Sequence, residues 1–305
     1  MDRNGILLLG GAGFMGTALS QRLAQEGAAV TVVTAVPPAV TVPGVAYRTG
    51  DLGNASLLEE LLSRCGTLVH MASTSTPGSS ARHPAWELDN IVPALHLLEH
   101  LHGQFDKHLV FISSGGTVYG NPPAQLIDET THCAPLSYHG AGKVAIEAFL
   151  NAFRAAGHAV TVLRPANAYG PGQFLEQGFG LVRTALQHAL NGTTLELWGD
   201  GGNIRDFLYI DDLVDAIARA VHAPHDRGTY NVGSGTGYSL NQVVELARQI
   251  SGLPLHVEYQ PGRWVDAREV VLDNQRIRAA LGWQPTVGLE EGMRRTWTWL
   301  KEGKR

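Results

Sequence analysis

Short apolar runs alternate with amphipathic stretches along the first half of the chain. Ile6–Leu9, Val30–Val33, Leu68–His70, Leu109–Ser113 and Val160–Leu163 read as strands. Between them, Gly16–Gly27, Leu57–Cys65, Pro84–His102 and Gly140–Ala156 carry apolar side chains at helical spacing. This βαβ rhythm predicts an α/β fold built on a doubly wound parallel sheet. After about Pro165 the rhythm loosens into Gly- and Pro-rich loops, such as Tyr169-Gly-Pro-Gly172 and Trp198-Gly-Asp-Gly-Gly202, with helical stretches at Phe179–Leu190 and Asp211–Val221. No segment there has the composition of a linker between independent domains.

Directly after the first predicted strand stands Gly10-Gly-Ala-Gly-Phe-Met-Gly16, which satisfies both G-x-G-x-x-G and G-x-x-G-x-x-G. Glycines at these places allow a tight turn and let backbone N–H groups approach a pyrophosphate at a helix N-terminus. The strand–turn–helix context points to a dinucleotide. The second strand should end in a carboxylate that holds the adenosine ribose, but Thr34 stands there, and no Asp or Glu occurs between Glu26 and Asp51. No Arg follows Thr34 to hold a 2′-phosphate. NAD and NADP are both open on these residues, and Asp51, with Leu52, is either a contact to the adenine or a solvated loop carboxylate.

Composition narrows the class. In 305 residues, 44% are hydrophobic and 17% charged, which excludes a disordered or coiled-coil chain. A net charge of −5 without a basic block argues against a nucleic-acid surface. Cys65 and Cys133 are too few for a disulfide framework or a thiolate zinc site. The leading apolar run is too short for a signal peptide or membrane span, so a cytoplasmic protein is expected. His96 and His100 share a helical face but lack a third ligand, so no metal is expected. Trp297 and Trp299 are expected to pack the last helix.

The chain resembles the extended short-chain dehydrogenase/reductases, specifically the NAD-dependent epimerase/dehydratases of nucleotide sugars, over nearly its whole length. The marks are Gly10–Gly16, Gly50-Asp-Leu52, Val69-His-Met-Ala72, Asn90, Ser113-Ser-Gly-Gly-Thr-Val-Tyr-Gly120, Lys143, Arg164-Pro165, Asn167-Ala-Tyr-Gly-Pro171, Gly199-Asp-Gly201, Arg205-Asp-Phe207 and Leu281-Gly-Trp283. The resemblance implies a Rossmann-type dinucleotide-binding domain at 1–165 and a smaller, partly interleaved substrate-binding region at 166–305. It implies cofactor contacts at Gly10, Gly13, Phe14, Met15, Gly16, Thr34, Asp51, Leu52, Met71, Ala72, Ser73, Asn90, Lys143 and Pro165.

In that family a Tyr four residues before the Lys exchanges a proton with the sugar hydroxyl while hydride passes to or from the nicotinamide. Here that position is His139, in Pro135-Leu-Ser-Tyr-His-Gly-Ala-Gly-Lys143. The family's catalytic Ser/Thr position holds Gly115, leaving Ser114 and Thr117 as the nearest hydroxyls, with Thr117 expected to face the substrate. Sugar dehydratases of this kind carry an acid and a base where Gly116 and Thr117 stand, so dehydration is disfavoured. A neutral imidazole is a better base near pH 7 than a phenol of pKa ~10, and Lys143 would keep it neutral. It is also shorter than tyrosine by roughly 2 Å, which matters for direct proton transfer. Three readings stay open: His139 acts as base, with or without a bridging water; Tyr138 swings in; or the chain binds without efficient turnover.

The resemblance further implies that Asn167, Arg205 and Arg263 contact the substrate's diphosphate or sugar, the bland alternative for Arg205 being an ion pair with Asp206. Ser73–Ser80 either borders the sugar pocket or is a solvated loop. The implied activity is 4-epimerisation of a nucleoside-diphosphate sugar, a UDP-sugar by preference. A 4-keto reductase and a catalytically weakened binding relative are the alternatives. Pairing of Asn90–His102 and Gly140–Ala156 across a two-fold axis would make a homodimer.

Overall fold

Leu7, Leu8 and Leu9 are all buried on strand β1 (Gly5–Leu9), as a strand covered by helices on both faces requires. The computed structural model describes residues 5–38, 40–51, 53–123, 126–175 and 180–303. After β1 come α1 (Phe14–Gln25), β2 (Val30–Thr34), β3 (Ala46–Thr49), α2 (Ala55–Leu62), β4 (Cys65–His70), α3 (Leu88–Leu101) and β5 (His108–Ile112). The single turn α4 (Gly115–Val118), then α5 (Tyr138–Ala155), β6 (Ala159–Pro165) and β7 (Asn167–Tyr169) follow. The rest is α6 (Leu181–Asn191), β8 (Leu195–Trp198), β9 (Ile204–Tyr209), α7 (Ile210–Val221), β10 (Thr229–Val232), β11 (Gly237–Ser239), α8 (Leu240–Ser251), β12 (Val257–Gln260), β13 (Glu269–Val270), α9 (Gln275–Leu281) and α10 (Leu289–Lys301).

Among the described residues the central sheet has seven strands in the order β10-β6-β5-β4-β1-β2-β3. The pairs from β3 across to β6 are all parallel, giving the doubly wound sheet that the alternation predicts. Strand β3 carries no apolar run, because as an edge strand it leaves Ala46, Arg48 and Thr49 exposed. The stretch Pro84–His102, expected as one helix, is instead a 3-10 turn, Pro84–Glu87, followed by α3. Pro84 starts that turn and the His83 ring stacks on Trp86 at 4.3 Å, so the entry is fixed one turn before the α-helix begins.

The chain packs as two compact units. The first comprises Met1–Ser114, Tyr138–Arg164 and Val214–Tyr230, and the second Gly115–Ser137, Pro165–Leu213 and Asn231–Arg305. In the first, one face of the sheet (Leu7, Leu9, Leu68, Phe111, Val162) packs on Leu58, Leu97 and Leu150 from α2, α3 and α5. Asn54 caps α2 by accepting from Leu57 N at 3.1 Å. In the second, β9 pairs with β7 and β13 in parallel and with β11 antiparallel. Trp283 is fully buried there, its indole donating to Asp212 O at 2.9 Å, while the Asp212 carboxylate accepts from Thr286 and Val287. Trp297 on α10 is buried as expected, and Trp299 lies under Arg183. No helix among the described residues is long and apolar enough to cross a membrane.

Candidate active site

The turn after β1 is built for close approach. Gly10 has φ +79°, and a Cβ there would come within 2.5 Å of Ala72 Cα; a Cβ at Gly16 would come within 2.4 Å of Gly11 Cα. These glycines let the turn and the first helical residues pack against one another. Gly13 differs: a Cβ there would meet only Gly10 O, at 3.9 Å, so the space over it is open. Gly13 caps α1 with no side-chain acceptor, and the first turn, Phe14–Gly16, contains no acidic residue. Free amides, the positive end of a helix and an open space that a methyl group would fill suit a pyrophosphate.

Thr34 closes β2, and its hydroxyl donates to Val36 O at 2.9 Å, leaving its lone pairs to accept from a ribose hydroxyl. Asp51 turns its carboxylate back on Gly53 N at 2.8 Å and is exposed. Leu52 lies outside the described residues, as does Phe179. Met71 is buried and donates its N–H to Leu9 O, Ala72 lies beneath Gly10, and Ser73 donates to Ser75 O. Pro165 ends β6.

Helix α5 brings the polar groups of the first unit together. His139, Lys143 and Glu147 recur every four residues and are all buried. Lys143 Nζ donates to Ile112 O at 3.0 Å and lies 5.0 Å from the Phe111 ring centroid. Burial lowers its pKa to about 8, opposed by the charges of Glu87 and Glu147. The His139 pKa falls to about 4, mainly through burial and then through Lys143, so its ring is neutral at pH 7. Its Nδ1 is 3.0 Å from Ser75 Oγ. Tyr138, by contrast, is 37% exposed. Ser114 lies just past β5 and is half-buried.

Three buried residues that the sequence did not single out support this face. Ser75 lies in the Ser73–Ser80 tract, so that tract is neither wholly solvated nor a uniform rim. Asn90 Nδ2 donates to both Ser75 Oγ and Glu87 Oε2, each at 3.0 Å. A Cβ at Gly142 would come within 2.7 Å of that same Glu87 oxygen. Glu147 takes a bond from Ser113 and pairs with Arg164, whose Nη2 is 2.5 Å from Oε2. The four-residue spacing from Lys143 was the signal for Glu147; nothing local marked Glu87 or Ser75.

In the second unit, Thr117 Oγ1 is buried without a hydrogen-bond partner among the described residues. Asn167 Nδ2 donates to Asp206 O at 3.0 Å. The ion pair between Arg205 and Asp206 does not form. Asp206 is buried and accepts from Ser234, Gly235 and Leu272, while Arg205 Nη1 donates to Ile204 O at 2.8 Å. Arg263, expected to be open for phosphate, makes a bidentate pair with Asp266 at 2.8 and 2.9 Å and stacks over Trp198. Among the described residues no cluster of His, Cys, Asp or Glu could hold a metal ion.

A family model described as "NAD dependent epimerase/dehydratase family" matches residues 6–233. The UDP-glucose 4-epimerase of Mycolicibacterium smegmatis is 33% identical over 301 residues, covering 95% of this chain and 96% of its own length. A dTDP-4-dehydro-6-deoxyglucose reductase of Escherichia coli is 28% identical, covering 95% and 96%. Among solved structures, the UDP-glucose 4-epimerase of Thermotoga maritima with UDP-glucose superposes with a TM-score of 0.92 at 32% identity, covering 98% of this chain and 99% of that one. The chain is thus an enzyme that uses NAD, and it belongs to the NAD-dependent epimerase/dehydratase family.

Proposed function

We propose that the protein is a nucleotide-sugar 4-epimerase, acting on a UDP-sugar by preference. The observation that carries this reading is the buried Lys143, one helical turn from a His139 whose ring is neutral at pH 7. NAD, when bound, supplies the reversible acceptor for the hydride from sugar C4. Lys143 orients the nicotinamide ribose and adds positive charge, and His139 exchanges the proton of the C4 oxygen in place of the family's tyrosine, with Tyr138 as the reserve. Thr117, or Ser114, polarises that oxygen, and Thr117 Oγ1 has no competing partner. Asn167, Arg205 and Arg263 hold the diphosphate, Arg263 by exchanging Asp266 for phosphate oxygens of the same fork geometry. Phe14, Met15 and Gly16 bind the pyrophosphate through the first turn of α1, and Met71, Ala72, Ser73 and Asn90 line the cofactor.

The test is absorbance of reduced nicotinamide after mixing the protein, NAD and a panel of UDP-, dTDP- and GDP-sugars, with separation of the products. A C4 epimer formed without net reduction of cofactor supports the reading. Binding of cofactor and sugar with no hydride transfer across the panel sinks it. One-way reduction of a 4-keto sugar is the second reading, favoured by the 3.0 Å contact between Ser75 Oγ and His139 Nδ1, which leaves Nε2 free to carry the ring proton; freely exchanging cofactor would identify it.

The same reading includes a homodimer. Leu88 and Val92 on α3 and Phe149 on α5 are exposed apolar residues on the two helices that the resemblance implies at the interface. A monomer by light scattering at micromolar concentration would remove that part.

A further inference from the structure

The hydrogen bonds around His139 constrain which ring nitrogen carries its proton. The backbone N–H of Thr74 can only donate, and it donates to Asn90 Oδ1 at 2.8 Å, as does the Thr74 hydroxyl at 3.1 Å. Asn90 Oδ1 is therefore the acceptor, and the other end of the amide is the NH2 group. Both its hydrogens are used, one on Ser75 Oγ and one on Glu87 Oε2. Ser75 Oγ thus already accepts one bond and retains its own proton. Its one further partner among the described residues is His139 Nδ1, at 3.0 Å.

We infer that Ser75, oriented by Asn90 and Glu87, donates to His139 Nδ1 and so holds the neutral ring in the tautomer that carries its proton on Nε2. Ser75 is a positioning residue: it acts through His139. The ring then meets an oxygen at Nε2 as a hydrogen-bond donor, the form that suits a carbonyl. To accept a proton from a hydroxyl, Nε2 must first be bare, which requires Nε2 to release its proton to water and Nδ1 to take one up from water, with Ser75 turning its hydroxyl so that it accepts from Nδ1. That reversal has a cost: with Asn90 N–H on one lone pair of Ser75 and His139 Nδ1–H on the other, the Ser75 proton is left without an acceptor among the described residues. The ketone-facing state of the site is the resting one, and the alcohol-facing state is reached by turning Ser75. Neutrality of the ring, held by burial and by Lys143, is what makes the choice of tautomer matter.

This inference rests on the proposed reading only for its consequence in turnover; the tautomer itself is a property of the unliganded protein. The experiment is 15N NMR of ring-labelled histidine in the full chain near neutral pH, with His139 assigned by loss of its signals in His139→Gln. The expected pattern is a pyrrole-type Nε2 and a pyridine-type Nδ1. Ser75→Ala should move both signals toward the averaged values of a mixed tautomer, and Ser75→Thr, which keeps the hydroxyl, should restore them. A His139 with its proton on Nδ1 in the wild-type spectrum overturns the inference, even if Ser75→Ala fails to fold. An Nε2–H ring in a protein that transfers no hydride would leave the inference standing and sink the proposed activity.

Discussion

Glu147 on α5 and Arg164 on β6 form a buried ion pair, with Arg164 Nε 3.1 Å from each carboxylate oxygen and Nη2 2.5 Å from Oε2. Ser113, at the end of β5, donates to the same carboxylate, so one acid ties two strand ends to the helix that carries His139 and Lys143. Breaking a buried pair from one side leaves an uncompensated charge. Glu147→Ala should therefore lower the unfolding free energy by about 3–5 kcal/mol. Urea titration checks this; a loss within experimental scatter of zero would show that Arg164 finds another partner.

Stability should fall on mild acidification. His70, His108 and His139 have pKa values of about 3, 4 and 4 against an ordinary 6.5, each mainly through burial. Since the unfolded chain takes up these protons first, their stabilising contribution is complete above pH 6.5 and is lost as pH drops toward 4. The urea midpoint should hold near neutrality and decline through that window. A midpoint that stays flat down to pH 4 would mean the three rings are not kept neutral.

Gly13→Ala and Gly16→Ala should separate binding from folding. The first methyl group enters open space over the turn and should weaken NAD binding at least tenfold with an unchanged melting temperature. The second enters the backbone of Gly11 and should cost both. Calorimetric NAD titration beside thermal melting decides it; normal NAD affinity in Gly13→Ala would move the pyrophosphate elsewhere.

Lys143→Met should leave the secondary structure intact and reduce kcat by at least a hundredfold, with the stronger effect on turnover than on sugar affinity. Arg205→Ala should do the reverse, raising KM for the nucleotide sugar about tenfold or more. Steady-state kinetics with the identified sugar test both, and full activity in Lys143→Met would take Lys143 out of the mechanism.

His139→Tyr should reduce turnover, because a phenol has no acceptor nitrogen for Ser75 and must fit beside Glu87. A gain in turnover would instead identify His139 as a weakening substitution in an enzyme otherwise arranged for tyrosine.

The sheet and the tight glycine turn after β1 were legible in the sequence because each depends on neighbours in the chain: apolar runs such as Ile6–Leu9 and glycines at fixed offsets. His139 and Lys143 could be placed because one helix spaces them. What escaped depends on distant partners. Ser75 sits in a polar tract that reads as loop and Glu87 in a turn that reads as helix; the fold brings Ser75 to His139, and Glu87 to Asn90 and Gly142.

Gly142, one helical turn past His139, has no room for a side chain because Glu87 stands against it. A protein engineer who swaps a single member of this set inherits a mismatch with the others. Glu87, Gly142, Ser75 and His139 are better regarded as one cassette, to be exchanged between relatives together.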